Sequence, residues 1–158
     1  MVSLEFLEKI EVFKTLNDNQ LKAIQDCVEL ADFKKDERIF TQGDDATHVW
    51  IILEGDVELK SETPGKSTTS PVSFLSETHV FGWTCFVPPH KYLLSGYCAS
   101  RWCKVVKLKK DDLLRLFEED DVFGFKVMDY LMAAVGKQFE QYQDQVARER
   151  GIEVMSQW

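Results

Sequence analysis

The chain has 158 residues, 44% of them hydrophobic and 29% charged, with a formal net charge of −8. That length suffices to bury one sizeable core, and the acidity excludes a binder of nucleic-acid backbones, which needs a clustered basic face. The longest apolar run, Val49 to Leu53, is too short to span a bilayer. The N-terminus carries acids inside its apolar pattern and has no small-residue cleavage site, so neither a secretory signal nor a membrane partner is expected. Cys27, Cys85, Cys98 and Cys103 form no CxxC pair. The expectation is free thiols in a reducing, cytoplasmic setting.

In chain order, Ser3 to Phe13 reads as a short amphipathic helix with Leu4, Leu7, Ile10 and Phe13 on one face. Asn17 or Asp18 is the expected N-cap of a second helix that carries Leu21, Ile24, Val28 and a trailing Leu30. From Ala31 the period changes. Arg38 to Lys60 breaks into short β-rich runs punctuated by Gly43-Asp44 and Gly55-Asp56. Val57 and Leu59 alternate with Asp56, Glu58 and Lys60, as on a half-buried strand. Ser61 to Ser70 is a polar connection, a strand resumes at Pro71 to Leu75, and Tyr97 to Leu108 alternates again. Cys98 and Cys103, at odd separation on one strand, are expected to face opposite sides, which argues against a shared metal site. Short strands at this spacing predict an antiparallel roll rather than a parallel sheet.

A helix is expected over Asp111 to Phe117, then an acidic turn at Glu118 to Asp121 suited to the start of a long helix. Along that helix Phe125, Met128, Met132, Val135, Phe139, Tyr142 and Val146 are spaced 3, 4, 3, 4, 3, 4, an a/d seam over three heptads. The stripe runs roughly 33 Å at 1.5 Å per residue and so outreaches a small barrel. The expected partner is a second copy of the chain in a parallel homodimer. The fold class expected is therefore α+β, mainly β: an antiparallel β-roll with N-terminal helices over 1–121, a long dimerisation and capping helix over 122–150, and a tail over 151–158.

This order of elements resembles the cyclic-nucleotide-binding domain of the Crp/Fnr regulators and of cyclic-nucleotide-dependent kinases. The run IFTQGDDATHVWIILEGDVEL resembles that family's Gly-Asp turn followed by an apolar strand ending in Gly-x-Val. Phe81-Gly82 looks like the start of its phosphate-binding cassette, and VVKLKKDDLLRLF like the strand and helix that follow. The resemblance covers about Phe6 to Val146.

The family's cassette implies Phe-Gly-Glu and, about ten residues on, Arg followed by Ser or Thr and Ala. There the Glu accepts from a ribose hydroxyl, and the Arg neutralises the cyclic phosphate. In FGWTCFVPPHKYLLSGYCA, Gly82 and Ala99 fit, but Trp83 stands at the Glu position, Leu93 at the Arg, Leu94 at the Ser/Thr and Ser95 at the Ala. Hydrogen bonds to charged groups contribute about 1.5–3 kcal/mol each. Losing both removes on the order of two to four decades of affinity. Cyclic nucleotide binding in the family's usual way is not expected.

Three readings stay open. Gly82, Trp83, Thr84, Cys85, Phe86, Lys91, Leu93, Leu94 and Ser95, with Tyr92, line a remodelled pocket for an unknown small-molecule effector; or these side chains fill the former site and leave a ligandless interaction scaffold; or Lys91 substitutes for the missing Arg. By offset from the cassette, Gln138 and Phe139 are the residues of the long helix expected to look into the pocket, and Phe139 belongs to the seam as well. His79, His90 and the cysteines show no diagnostic spacing, so no heme, metal or other cofactor is expected. No nucleophile-elbow context surrounds any serine, so no enzyme is expected. In bacterial regulators of this family a helix-turn-helix follows the long helix. Here only Gly151 to Trp158 follow, so no nucleic-acid contact is expected through this chain.

Overall fold

The computed structural model describes residues 2–62 and 69–151. Among these residues eight antiparallel strands form two four-stranded sheets. One has the order β1 (Val28–Lys34), β8 (Trp102–Lys109), β3 (His48–Glu54), β6 (Val80–Phe81); the other runs β2 (Arg38–Phe40), β7 (Ser95–Cys98), β4 (Val57–Glu62), β5 (Thr69–Leu75). The helices are α1 (Leu4–Glu8), α2 (Asp18–Gln25), α3 (Lys110–Glu119) and α4 (Asp121–Glu149). This is the expected mainly-β roll with N-terminal helices and a long C-terminal helix.

The continuous apolar run of β3 follows from burial on both faces. Trp50 and Ile52 point into the roll, where they meet Val57, Leu75, Phe81 and Val105. Val49 and Ile51 point the other way, into a layer built with Val106, Leu108 and the helical residues Leu7, Phe13, Leu21, Ile24 and Leu113. Strand alternation thus splits one sequence between two cores.

Several local expectations need correction. The first helix stops at Glu8, Ile10 turns extended, and Glu11–Phe13 form a separate 3₁₀ turn. The break lets the adjacent Val12 and Phe13 both bury, whereas on one continuous helix they would stand about 100° apart. The second helix starts at the expected Asn17 cap, where Asn17 Oδ1 accepts from the Gln20 amide (2.9 Å) and Gln20 Oε1 from the Asn17 amide (3.0 Å). It ends at Gln25, however, because Val28 and Leu30 pair with Leu108 and Val106 of β8. Cross-strand pairing overrides the helical spacing there.

The polar connection is also shorter than expected. Ser61 and Glu62 still pair with Ser70 and Thr69, and 63–68 lie outside the described residues. Finally, Cys98 and Cys103 occupy different strands in different sheets and are both fully buried in the same roll core. The bend at Ala99–Arg101 undoes the parity argument.

The helix α3 runs from Lys110 to Glu119, longer at both ends than expected, and Asp120 caps α4 by accepting from the Phe123 amide (3.0 Å). Gln20 Nε2 donates to the same carboxylate (3.2 Å), tying α2 to this junction. Along α4, Phe123, Val127 and Leu131 are buried against the roll's helical layer. The heptad seam lies on other faces: Phe125 and Met132 are 71% and 72% exposed, Phe139 and Tyr142 are exposed, and Met128, Val135 and Val146 are half-buried. The tail from 152 onward lies outside the described residues. Among those described, no helix is long and apolar enough to cross a membrane.

Candidate functional site

The cassette segment leaves β6 at Phe81 and turns at Gly82, whose φ of +71° is left-handed. A Cβ there would also meet Trp50 Cδ1 at 2.6 Å and the His48 carbonyl at 3.0 Å. Both the backbone and the space demand glycine. A 3₁₀ turn, Trp83–Phe86, follows, then a cis bond between Pro88 and Pro89. His90 Nδ1 hydrogen-bonds the Cys85 carbonyl (2.9 Å). The segment His90–Tyr92 that returns toward β7 is strapped to the Gly43–Ala46 turn: the Gly43 amide donates to the Tyr92 carbonyl (2.8 Å), Tyr92 N to Asp44 O (3.0 Å) and Ala46 N to His90 O (2.8 Å).

Between these segments lies a cavity of about 110 Å³. Its walls are Phe40, Leu59, Trp83, Tyr92, Leu93 and Leu94, with Gly82 and Thr84 beside them. No wall residue is charged. Its floor is an aromatic stack. Phe40 lies on Tyr92 with ring centroids 4.0 Å apart and planes 17° apart, and Phe81 lies behind Phe40 at 5.8 Å. Gly96 lets the Phe40 ring lie flat, since a Cβ there would meet the ring at 3.0 Å. The Tyr92 hydroxyl accepts from Trp50 Nε1 (3.3 Å) and donates to the His48 carbonyl (3.3 Å). Burial raises its pKa, so it stays a neutral phenol.

The other residues singled out in the sequence lie around this cavity rather than in its walls. Cys85 is fully buried in the helical core, with its thiol pushed up to about 12 by that burial, and Phe86 packs against the same core. Lys91 is ion-paired with Asp45 and, by that hydrogen bond, holds the Asp45 carboxyl low. Ser95 is fully buried on the opposite face of β7 from Gly96. Its hydroxyl accepts from the Gln42 amide (2.8 Å) and donates to Glu62 Oε2 (2.9 Å). Glu62 also accepts from Tyr97 Oη and from Arg38 Nη2, the latter at 3.0 Å. Its carboxyl is held low, first by the Tyr97 hydroxyl. A carboxylate, a guanidinium and a serine do meet in this roll, but on its outer face.

Gln138 sits on the free edge of β6. Its Oε1 accepts from the Val80 amide (2.9 Å) and its Nε2 donates to the Val80 carbonyl (2.8 Å). The side chain stands in for a neighbouring strand and leaves the cavity walls to others. Phe40 and Leu59 are wall residues that the sequence reading did not select. The signal for Leu59 was the Val57/Leu59 alternation, which put one face of β4 inside the roll. Among the described residues no group of three His, Cys, Asp or Glu side chains is arranged to hold a metal.

The sequence model of the family described as cyclic nucleotide-binding domain matches residues 30–120, more than half of the chain. The chain belongs to the cyclic nucleotide-binding domain family. A putative cyclic nucleotide-binding protein from Geobacter metallireducens superposes with a TM-score of 0.75 at 27% identity, over 88% of this chain and 99% of that one. The regulatory subunit of a cAMP-independent protein kinase A from Trypanosoma brucei gives a TM-score of 0.68 at 18% identity, over 90% of this chain and 50% of that one. In sequence, the cAMP-dependent protein kinase regulatory subunit of Dictyostelium discoideum is 37% identical over 76 residues. Those residues are 48% of this chain and 23% of the Dictyostelium protein, so the chain spans under a quarter of that relative's length.

Proposed function

We propose that this chain is a non-enzymatic regulatory module that has kept the cyclic-nucleotide-binding fold and changed its signal. The observation that carries the reading is the cassette cavity itself. Every wall residue is uncharged, and Trp83 and Leu93 occupy the positions of the two charged recognition residues. At about 110 Å³ it is also well below the roughly 300–1,000 Å³ usual for small-molecule sites. A cyclic phosphate placed there would lose its water without gaining a cation, a penalty no apolar wall offsets. The fitting effector is a small, uncharged, planar or apolar molecule seated between Trp83 and Leu93. The Trypanosoma neighbour, the regulatory subunit of a cAMP-independent protein kinase A, is consistent with this fold working without that signal.

Output would pass through α4. Its inner stripe is taken by its own roll, while Phe125, Met132, Phe139 and Tyr142 are exposed at heptad spacing, which suits a parallel pairing with a second copy. The aromatic stack beneath the cavity favours a second reading, in which the site is simply filled and the module is a dimeric scaffold. Calorimetric titration with cAMP, cGMP and indole separates the readings. Saturable indole binding weakened by Trp83→Ala supports the sensor, no binding by any probe supports the scaffold, and micromolar nucleotide binding contradicts both.

A further inference from the structure

On the helical side of β3, a groove runs between the 3₁₀ turn Glu11–Phe13, the turn that joins β5 to β6, and α4. It consists of two lobes of about 290 Å³ each that share Glu11, Thr78 and Tyr130 in their walls. Each lobe is larger than the cassette cavity and close to the lower end of the usual range for ligand sites, and no wall residue is common to groove and cassette cavity.

A strained residue stands where the lobes meet. The turn from Ser76 to His79 closes with the His79 amide donating to the Ser76 carbonyl (3.1 Å), and Thr78 has a φ of +73°. That third turn position with positive φ is one that glycine or asparagine normally fills, and a β-branched residue there is an outlier. The turn is held there by β3: the Thr78 amide donates to the Ile52 carbonyl (2.9 Å) and the Ile52 amide to the His79 carbonyl (3.1 Å), which sets the Thr78 side chain between the lobes.

The two lobes differ in chemistry. The first has an apolar floor of Phe6, Ile10, Ile51, Leu53 and the Tyr130 ring, and its rim sets Lys9 and Lys104 against Glu54 and Glu77. The second has the small side chains of Ala133 and Ala134 in its wall and carries Lys137, His79, Gln138 and Gln141. Its one acid, Glu11, is ion-paired with Lys14. Lys137 has no carboxylate partner among the described residues. His79 Nδ1 accepts from the Ser76 amide (2.9 Å), which leaves the ring proton of the neutral imidazole on Nε2 as a donor. One lobe offers apolar surface, the other an unpaired cation beside a donor.

We propose that this groove is a second ligand site, for a small amphipathic carboxylate whose alkyl or aryl body fills the first lobe while its carboxylate meets Lys137 and His79 in the second. A nucleotide fits poorly, since one lysine faces a larger charge. The proposal is independent of what the cassette binds. Because Gln138 also lines the second lobe, an occupant would touch the residue that ties α4 to Val80.

Calorimetric titration of the full chain with decanoate and 4-phenylbutyrate, below their aggregation concentrations, tests this. The expected result is one saturable site per chain, at least tenfold weaker in Lys137→Glu and in Ala133→Trp, which fills the second lobe from an exposed position. Decanol should bind at least tenfold more weakly than decanoate. Leu93→Glu, in the cassette, should keep the wild-type affinity. Absence of saturable binding by both probes overturns the proposal. So does unchanged affinity in Lys137→Glu and Ala133→Trp, or loss of binding in Leu93→Glu. Should Ala133→Trp fail to fold, Lys137→Glu, on the helix surface, decides alone.

Discussion

Gln138 brackets Val80 with both ends of its amide, accepting from the backbone N–H and donating to the backbone carbonyl across 58 positions of sequence. The two-residue strand that launches the cassette is thereby fixed to the middle of α4. Replacing Gln138 by Leu keeps the bulk and leaves two part-buried backbone groups unpaired. The expected loss of stability is about 1–3 kcal/mol, read by urea denaturation, with faster hydrogen exchange at Val80 than at the core strand β8. Gln138→Glu should cost at least as much, because a carboxylate oxygen would face the Val80 carbonyl.

Gly82→Ala carries two penalties at one position. The left-handed backbone costs about 1–2 kcal/mol for an L-residue, and the new Cβ meets Trp50 at 2.6 Å, an overpacking cost of about 1–3 kcal/mol. Chemical denaturation should report a loss of about 2–5 kcal/mol. Near-UV circular dichroism should change as Trp50 shifts.

Glu62 gives the outer face a defined pH response. Its carboxyl is held below the ordinary value of 4.5, chiefly by the Tyr97 hydroxyl and further by Ser95 and Arg38. A depressed carboxyl stabilises the fold above the unfolded-state value and loses that contribution as pH falls through the folded-state value. Glu62→Gln should therefore be less stable than the wild type by a constant amount from about pH 8 to pH 5. The gap should close below about pH 4, as followed by thermal melting across that range.

The exposed seam of α4 makes its own demand. Met132 and Phe139 are both exposed, so changing both to Lys should leave the monomer folded while placing charges where a second copy would pack. Sedimentation equilibrium should move from dimer to monomer with unchanged far-UV circular dichroism. A wild-type chain that sediments as a monomer would remove the seam from the account.

Much of this fold was legible because its signals are local. The Asn17 cap and the Gly-Asp turns each lie within a few residues of what they determine, and the 3, 4 spacing marks α4 as a helix without saying which face its own roll covers. What the sequence hid depends on partners far away. Val28 and Leu30 look helical until Leu108 and Val106 claim them for a strand. Cys98 and Cys103 look like opposite faces of one strand until a bend places them in two sheets. Within the cassette the residue types were readable, but their directions were not. Ser95 turns outward to Glu62 and Lys91 turns to Asp45, while Gln138 on α4 closes a sheet edge instead of lining the cassette cavity. Side-chain destinations set by long-range hydrogen bonds leave no period in the sequence to read.

The central claim is that the cassette between Gly82 and Ser95 does not hold a cyclic nucleotide in the usual way. The most direct test is amide-resolved NMR during titration with cAMP and cGMP up to millimolar concentration. The account predicts no saturable shifts at Gly82, Trp83, Leu93 or Ser95. Saturable shifts at those amides with micromolar affinity, abolished in Lys91→Ala, would contradict it and make Lys91 the phosphate's cation.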